Sequence, residues 1–254
     1  MPVPTAKLLL DDGVFGSGGH DPYDRALRDP SVALYLREAD AESGDEAAAE
    51  PADERERLDV ERFLAAADAD DADAVHGTTG PVLDIGCGPG RLVHAAIMAG
   101  HLALGIDVSR TAVAIAQEHG LPVLRRSVFH DLPAEGTWGT ALLIDGNIGI
   151  GGDPEALLAR CAELVRPTDG RVRIETHPDR RRDRRFRGIV VDEHRRASLP
   201  FPWAEVGAAA LRHHARRTGW ALSREWTARG RTFAEFVRAA DAPPVGASVP
   251  AAAL

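Results

Sequence analysis

Residues 81–100 read PVLDIGCGPGRLVHAAIMAG. A short apolar run from Val82 to Ile85 leads into glycines at 86, 88 and 90 and then into a helical pattern that stops at Gly100. That order predicts a buried strand, a tight turn and an amphipathic helix. In open α/β sheets such a turn lies where ligands bind, beyond the carboxyl ends of the strands, and glycines there let the backbone come close to the ligand. Asp84 stands inside the strand, just ahead of the first glycine. A carboxylate at that point repels a pyrophosphate and suits a cationic amino group. The dinucleotide fingerprint G-x-G-x-x-G is not met either, because Arg91 occupies the place of its third glycine.

The alternation continues outward from this stretch. LALGID is a second strand, and SRTAVAIAQEHG is a helix with Ser109 as N-cap and Gly120 as stop. LPVLRRSV and GTALLIDG are the third and fourth strands, DPEALLARCAELV is a helix capped by Asp153, and GRVRIETH is the fifth strand. WAEVGAAALRHHARRTGW reads as a helix, followed by two strand-like runs, ALSREWTA and TFAEFVRA, with Gly230 between them. Apolar strands separated by amphipathic helices imply a mostly parallel sheet covered on both faces, with the closing pair adding an antiparallel C-terminal strand. Asp107, ending the second strand, is placed to accept hydrogen bonds from ribose hydroxyls.

The ordered set VLDIGCGPGRL, ALGIDVS and DLP, with the closing helix-strand-strand pattern, resembles the class I S-adenosylmethionine (SAM)-dependent methyltransferases. The resemblance runs from about Val82 to His177. It implies a Rossmann-like, seven-stranded α/β fold with SAM as cofactor. By the same resemblance Asp84, Gly86 and Gly88 line the methionine end, Asp107 and Val108 the ribose, and Val128 with Phe129 the adenine; Asp145, in the loop after the fourth strand, is expected to border the cofactor. Many members of the family carry an aspartate for the adenine amino group where this chain has Ser127-Val128; Ser127 and Asp131 are the available replacements. After the fourth and fifth strands stand Asp145 and His177, the candidate catalytic residues. His177 leads as a base because an imidazole titrates near neutrality.

Composition bounds the rest. The 254 residues are 44% hydrophobic with a net charge of -9, enough for a proper core and against a general nucleic-acid binder. No apolar run reaches the roughly 18 residues that span a bilayer, and AKLLL near the start is too short for a signal-peptide core, so a cytoplasmic protein without a membrane partner is expected. Cys87 and Cys161 have no partners at metal-ligand spacing, so no metal is expected. The predicted organisation is an N-terminal cap with an acidic flexible linker over 1–56, a SAM-binding domain over 57–240 with an insertion near 178–200, and a flexible tail over 241–254. Within the cap, His20, Asp21, Tyr23 and Asp24 are candidates to fold over the site. LDVERFLAAADADDADAV reads as one helix, and the arginine-rich run 179–196 as a solvated hairpin, a clamp for an acidic substrate or an RNA-facing patch. The expected activity is methyl transfer to oxygen or nitrogen of a small molecule. The alternatives are a non-catalytic SAM-binding regulator, an RNA methyltransferase and a nicotinamide-dependent oxidoreductase.

Overall fold

The computed structural model describes residues 13–39 and 56–239. AKLLL, most of the acidic linker and the tail lie outside the described residues.

Seven strands form the main sheet: β3 (Val82–Ile85), β4 (Ala103–Asp107), β5 (Val123–Arg125), β6 (Thr140–Leu143), β7 (Arg171–Thr176), β10 (Trp220–Ala228) and β11 (Arg231–Arg238). Their order is β10-β11-β7-β6-β3-β4-β5. The β3–β4, β3–β6, β4–β5 and β6–β7 pairs are parallel, whereas β11 runs antiparallel to both β7 and β10. This is the Rossmann-like sheet expected from the alternation, with the opposed strand supplied by the closing hairpin. The interior strands β3 and β6 are buried at every position, as strands covered on both faces must be. The edge strand β5 is shorter than LPVLRRSV suggested, because Leu124 and Arg125 are already exposed.

Helices α4 (Arg91–Met98), α5 (Arg110–Glu118), α6 (Pro154–Leu164) and α7 (Ala208–Arg217) flank the sheet. Helix α4 buries Leu92, Val93 and Ala96, one face at helical spacing. Ser109 Oγ accepts from the Ala112 N–H and Asp153 caps α6 through the N–H groups of Glu155 and Ala156, so both N-caps stand where the sequence places them. WAEV, read as the start of a helix, instead ends a strand, β9 (Phe201–Val206), and α7 begins at Ala208.

A second, antiparallel sheet has the order β2-β1-β8-β9, built from β1 (Leu34–Glu38), β2 (Glu56–Leu58), β8 (Asp183–Asp192) and β9 (Phe201–Val206). Two segments far apart in sequence thus make one sheet, with Leu34 opposite Asp192 and Glu38 opposite Gly188. Helix α1 (Pro22–Arg28) packs with it, and Tyr23, Leu27, Leu34, Val190, Phe201 and Trp203 share a core of their own. This core reaches Ala112 of α5. The stretch read as one helix after the linker is α2 (Val60–Leu64) and α3 (Ala69–Val75). Its break has a local cause: the Asp71 N–H donates to Asp68 Oδ1 and the Asp68 N–H to Asp71 Oδ2, a reciprocal cap that starts a new helix.

Candidate functional site

A cleft opens at the carboxyl ends of β3, β4 and β6, between the main sheet and the second sheet. It encloses about 1390 Å³ of empty space, solvent at its mouth included. Its floor is the glycine turn. The N–H groups of Gly86 and Cys87 both donate to the Ile106 carbonyl, which presses the turn against β4. Gly86 has a φ of +71°, and a Cβ there would stand 2.7 Å from Asn147 Nδ2. That amide donates to the carbonyls of Ile85 and Gly86 at 2.9 and 3.0 Å, strapping the turn to the segment after β6. Gly88 has a φ of +53° and faces the cleft, with Tyr23 Oη the nearest atom to the place a Cβ would take, at 3.7 Å.

Asp107 fixes the neighbouring wall. Its Oδ2 accepts from the Gly88 N–H and its Oδ1 from the Ser109 N–H, both at 2.8 Å. One carboxylate therefore holds the glycine turn and the start of α5 in register. Burial raises the Asp107 pKa, against the lowering effect of these backbone donors. Val108, Ser127, Val128 and Phe129 continue this wall; Asp131 is exposed and does not line the cleft.

Asp84 is 2% exposed, in a strand whose other residues are apolar, and its Oδ2 has no hydrogen-bond partner. An ionised carboxylate in such a place is costly unless something pairs with it. Burial pushes its pKa up to about 8; Arg91 opposes the rise, while Asp145, Asp107 and Asp71 add to it. A cationic ligand group at Oδ2 fits both the orphaned oxygen and the charge.

Beneath this point lies a network of charges that the sequence did not announce. Arg91 opens α4, an unfavourable place for a cation, and it ion-pairs with Asp71 and Asp145. Arg231 at the tip of the closing hairpin reaches Asp145 at 2.9 Å, Glu175 at 2.7 Å and Asp71 at 3.3 Å. Arg62 of α2 bonds Asp71 at 2.8 Å. Although burial opposes it, Arg91 first, then the Asp68 N–H and Arg62, hold Asp71 down at about 2. No local pattern marks Arg62, Asp71 or Arg231; only the fold brings them together.

Of the residues expected at the site, Asp84, Gly86, Gly88, Asp107, Val108, Val128, Phe129 and Asp145 all line the cleft. Asp145 lies there as a paired carboxylate, held between Arg91 and Arg231. His177 does not line it. Its N–H donates to the Val206 carbonyl and its Nδ1 accepts from the Asp179 N–H at 3.0 Å, which turns its ring to the chain that follows β7. From the cap, Tyr23 lines the cleft, Asp24 accepts from Ser109 Oγ at 2.9 Å and ties α1 to α5, and His20 and Asp21 are exposed. Burial first, then the nearby Asp107 and Cys87, raises the Tyr23 pKa well above the usual phenol value, so it faces the cleft as a neutral hydroxyl. The opposite wall, on the cap side as expected, is made by residues the sequence did not mark for the site: Phe15, Leu36, Leu58, Phe63, Pro202 and Trp203. The arginine run 180–187 is largely occupied with carboxylates: Arg180 pairs with Glu225, Arg182 with Glu205 and Arg184 with Glu38.

Comparison with known proteins adds to this geometry. Residues 82–168 match the methyltransferase domain family. The match covers 87 of the 254 residues, about a third of the chain. The chain is also 33% identical over 93 residues to a ubiquinone biosynthesis O-methyltransferase of Chromobacterium violaceum. That match spans 34% of this chain and 40% of the relative's length. A SAM-dependent methyltransferase from Bacteroides fragilis, solved with S-adenosylhomocysteine, shares the fold with a TM-score of 0.66 at 16% identity, over 91% of this chain and 99% of that one. The 1,6-didemethyltoxoflavin-N1-methyltransferase of Burkholderia thailandensis gives 0.50 at 19% identity, over 67% and 77%. These likenesses show a shared fold, the Rossmann-like seven-stranded sheet described above. Among the described residues no helix is long and apolar enough to cross a membrane, and no cluster of three metal-ligating side chains occurs.

Proposed function

We propose that the chain is a SAM-dependent methyltransferase acting on oxygen or nitrogen of a small-molecule acceptor. The observation that carries this reading is the buried, unpartnered Oδ2 of Asp84 at the floor of the cleft. Such an atom accepts the ammonium of a methionine moiety, which restores its missing partner. Asp107 keeps lone pairs for ribose hydroxyls while its backbone contacts set its angle. Val128 and Phe129 offer an apolar seat for a base, with Ser127 beside them.

Bound there, SAM supplies an electrophilic methyl group on a sulfonium. The chain's part is to orient and to exclude water. Asn147 and Asp107 fix the turn from two sides, so that the ligand's position is set by backbone and not by mobile side chains. The second sheet covers the cleft opposite and holds an acceptor within reach, the positioning that makes an in-line displacement effectively unimolecular. Asp145 stabilises this floor through Arg91 and Arg231. The relative from Chromobacterium violaceum is named for an O-methyl transfer and the Burkholderia thailandensis structure for an N-methyl transfer; both names agree with a small acceptor.

The test is calorimetric titration with S-adenosylhomocysteine and, separately, NADH, beside an Asp84→Ala variant. Saturable binding of the first alone, lost in the variant, is the expected result. Binding of NADH alone, or no binding to well-folded protein, would overturn the assignment. Methyl transfer from labelled SAM to a pool of small metabolites separates an enzyme from a regulator that only binds.

A further inference from the structure

The cleft has two chemically different halves. On the sheet side stand the charged groups that line it: Asp84, Arg91, Asp107, Arg126 and Asp145. Arg91 and Asp145 pair with each other and Asp107 holds two backbone N–H groups. The opposite side, made by the second sheet and the segments beside it, is formed by Phe15, Leu36, Leu58, Phe63, Pro202 and Trp203. Phe15 anchors an aromatic wall, with ring centroids 5.2 Å from Trp203, 5.2 Å from Phe201 and 5.4 Å from Tyr23. Trp203 stands edge-on to Phe201. Among the described residues this half presents no charged side chain to the cleft.

From this division we propose that the cap half of the cleft is the acceptor subsite, and that it takes a flat, uncharged, apolar ring system. The inference rests on the methyltransferase reading and names its substrate class. A charged acceptor entering this half leaves water without a counter-charge to meet it, which is costly. An aromatic ring replaces water against Phe63 and Trp203 and gains edge or offset contacts with the Phe15 wall. A sugar or polyol loses hydrogen bonds to water that these side chains cannot return. Tyr23, at the junction of the halves near Gly88, is the one side chain from the cap core that offers the ring a hydroxyl.

The test uses the full chain saturated with S-adenosylhomocysteine and three probes: 1-naphthol, 1-naphthalenesulfonate and myo-inositol. The naphthol is expected to bind at least about tenfold more tightly than either of the others. Phe63→Ala and Trp203→Ala should each weaken naphthol by about fivefold or more, and S-adenosylhomocysteine affinity should stay within about twofold in both. Phe63 is half-buried, so its variant tests the subsite even where loss of Trp203 disturbs the cap. Leu222→Ala, at an exposed position of β10, should change neither. Equal or tighter binding of the sulfonate, or naphthol binding that ignores both aromatic variants, would overturn the proposal. So would a chain that takes S-adenosylhomocysteine and no naphthol. A chain that fails to take S-adenosylhomocysteine refutes the methyltransferase reading instead.

Discussion

Binding of S-adenosylhomocysteine should release a proton, and Asp84 is its source. With a pKa of about 8 in the ligand-free protein, roughly nine carboxyls in ten are protonated at pH 7. A ligand ammonium at Oδ2 favours the carboxylate, so about 0.9 proton leaves per ligand bound at pH 7. Ionising the group at that pH costs about 1.4 kcal/mol, which is drawn from the binding free energy. Affinity should therefore rise about tenfold per pH unit from 6 towards 7 and flatten near 8. The assay is calorimetry at pH 7 in phosphate, HEPES and Tris, whose ionisation enthalpies differ; the slope of heat against ionisation enthalpy counts the protons. In Asp84→Asn the release should vanish and the pH dependence with it, alongside weaker binding. Heats that do not vary with buffer, or an unchanged release in Asp84→Asn, would refute the assignment of the ammonium to this oxygen.

Three further outcomes follow from the same geometry. Asp71, held at about 2 against an ordinary value near 4, contributes about 2 kcal/mol that is fully present above pH 4 and lost as pH falls towards 2. Asp71→Asn should accordingly lower urea stability at pH 7 by about 2–4 kcal/mol, and the gap to wild type should narrow in acid. Asn147→Ala removes two bonds to the glycine turn and should cost about 1–2 kcal/mol by thermal melting, with a larger proportional loss of S-adenosylhomocysteine affinity than a surface variant of equal stability. His177→Ala should leave kcat within about twofold, since the residue lies outside the cleft; a loss of about a hundredfold would restore it as a general base.

The main sheet was legible because its signals are local. PVLDI, the glycine turn and the helix after it are one contiguous strand-turn-helix unit, and Ser109 and Asp153 mark helix starts by chemistry that acts within three residues. Asp84 could be read for the same reason: a carboxylate in an apolar strand is conspicuous. The second sheet was not legible. LYLRE and DRRFRGIVVD carry charges on both faces and give no sign that they pair with each other across the whole nucleotide fold. The aromatic wall was hidden likewise, since Phe15, Phe63 and Trp203 belong to three separate segments. Arg231 looked like the end of a hairpin turn; its partners Asp71, Asp145 and Glu175 come from three other elements. His177 was misplaced because sequence puts it after β7 but says nothing of its ring, which the Asp179 N–H turns to the backbone beyond.

The pairing of β1 with β8 also sets an order of events as the chain is made. Leu34 leaves the ribosome 158 residues ahead of Asp192, its partner, and at typical elongation rates of about 5–20 residues per second waits roughly 8–32 s for it. During that interval the parallel strands β3 to β7 can find one another, while β1 has neither its β8 neighbour nor Phe201 and Trp203 to cover Leu34 and Leu36. The first of the described strands to be synthesised is thus among the last to be housed, and the apolar wall of the cleft is completed only when the late hairpin arrives.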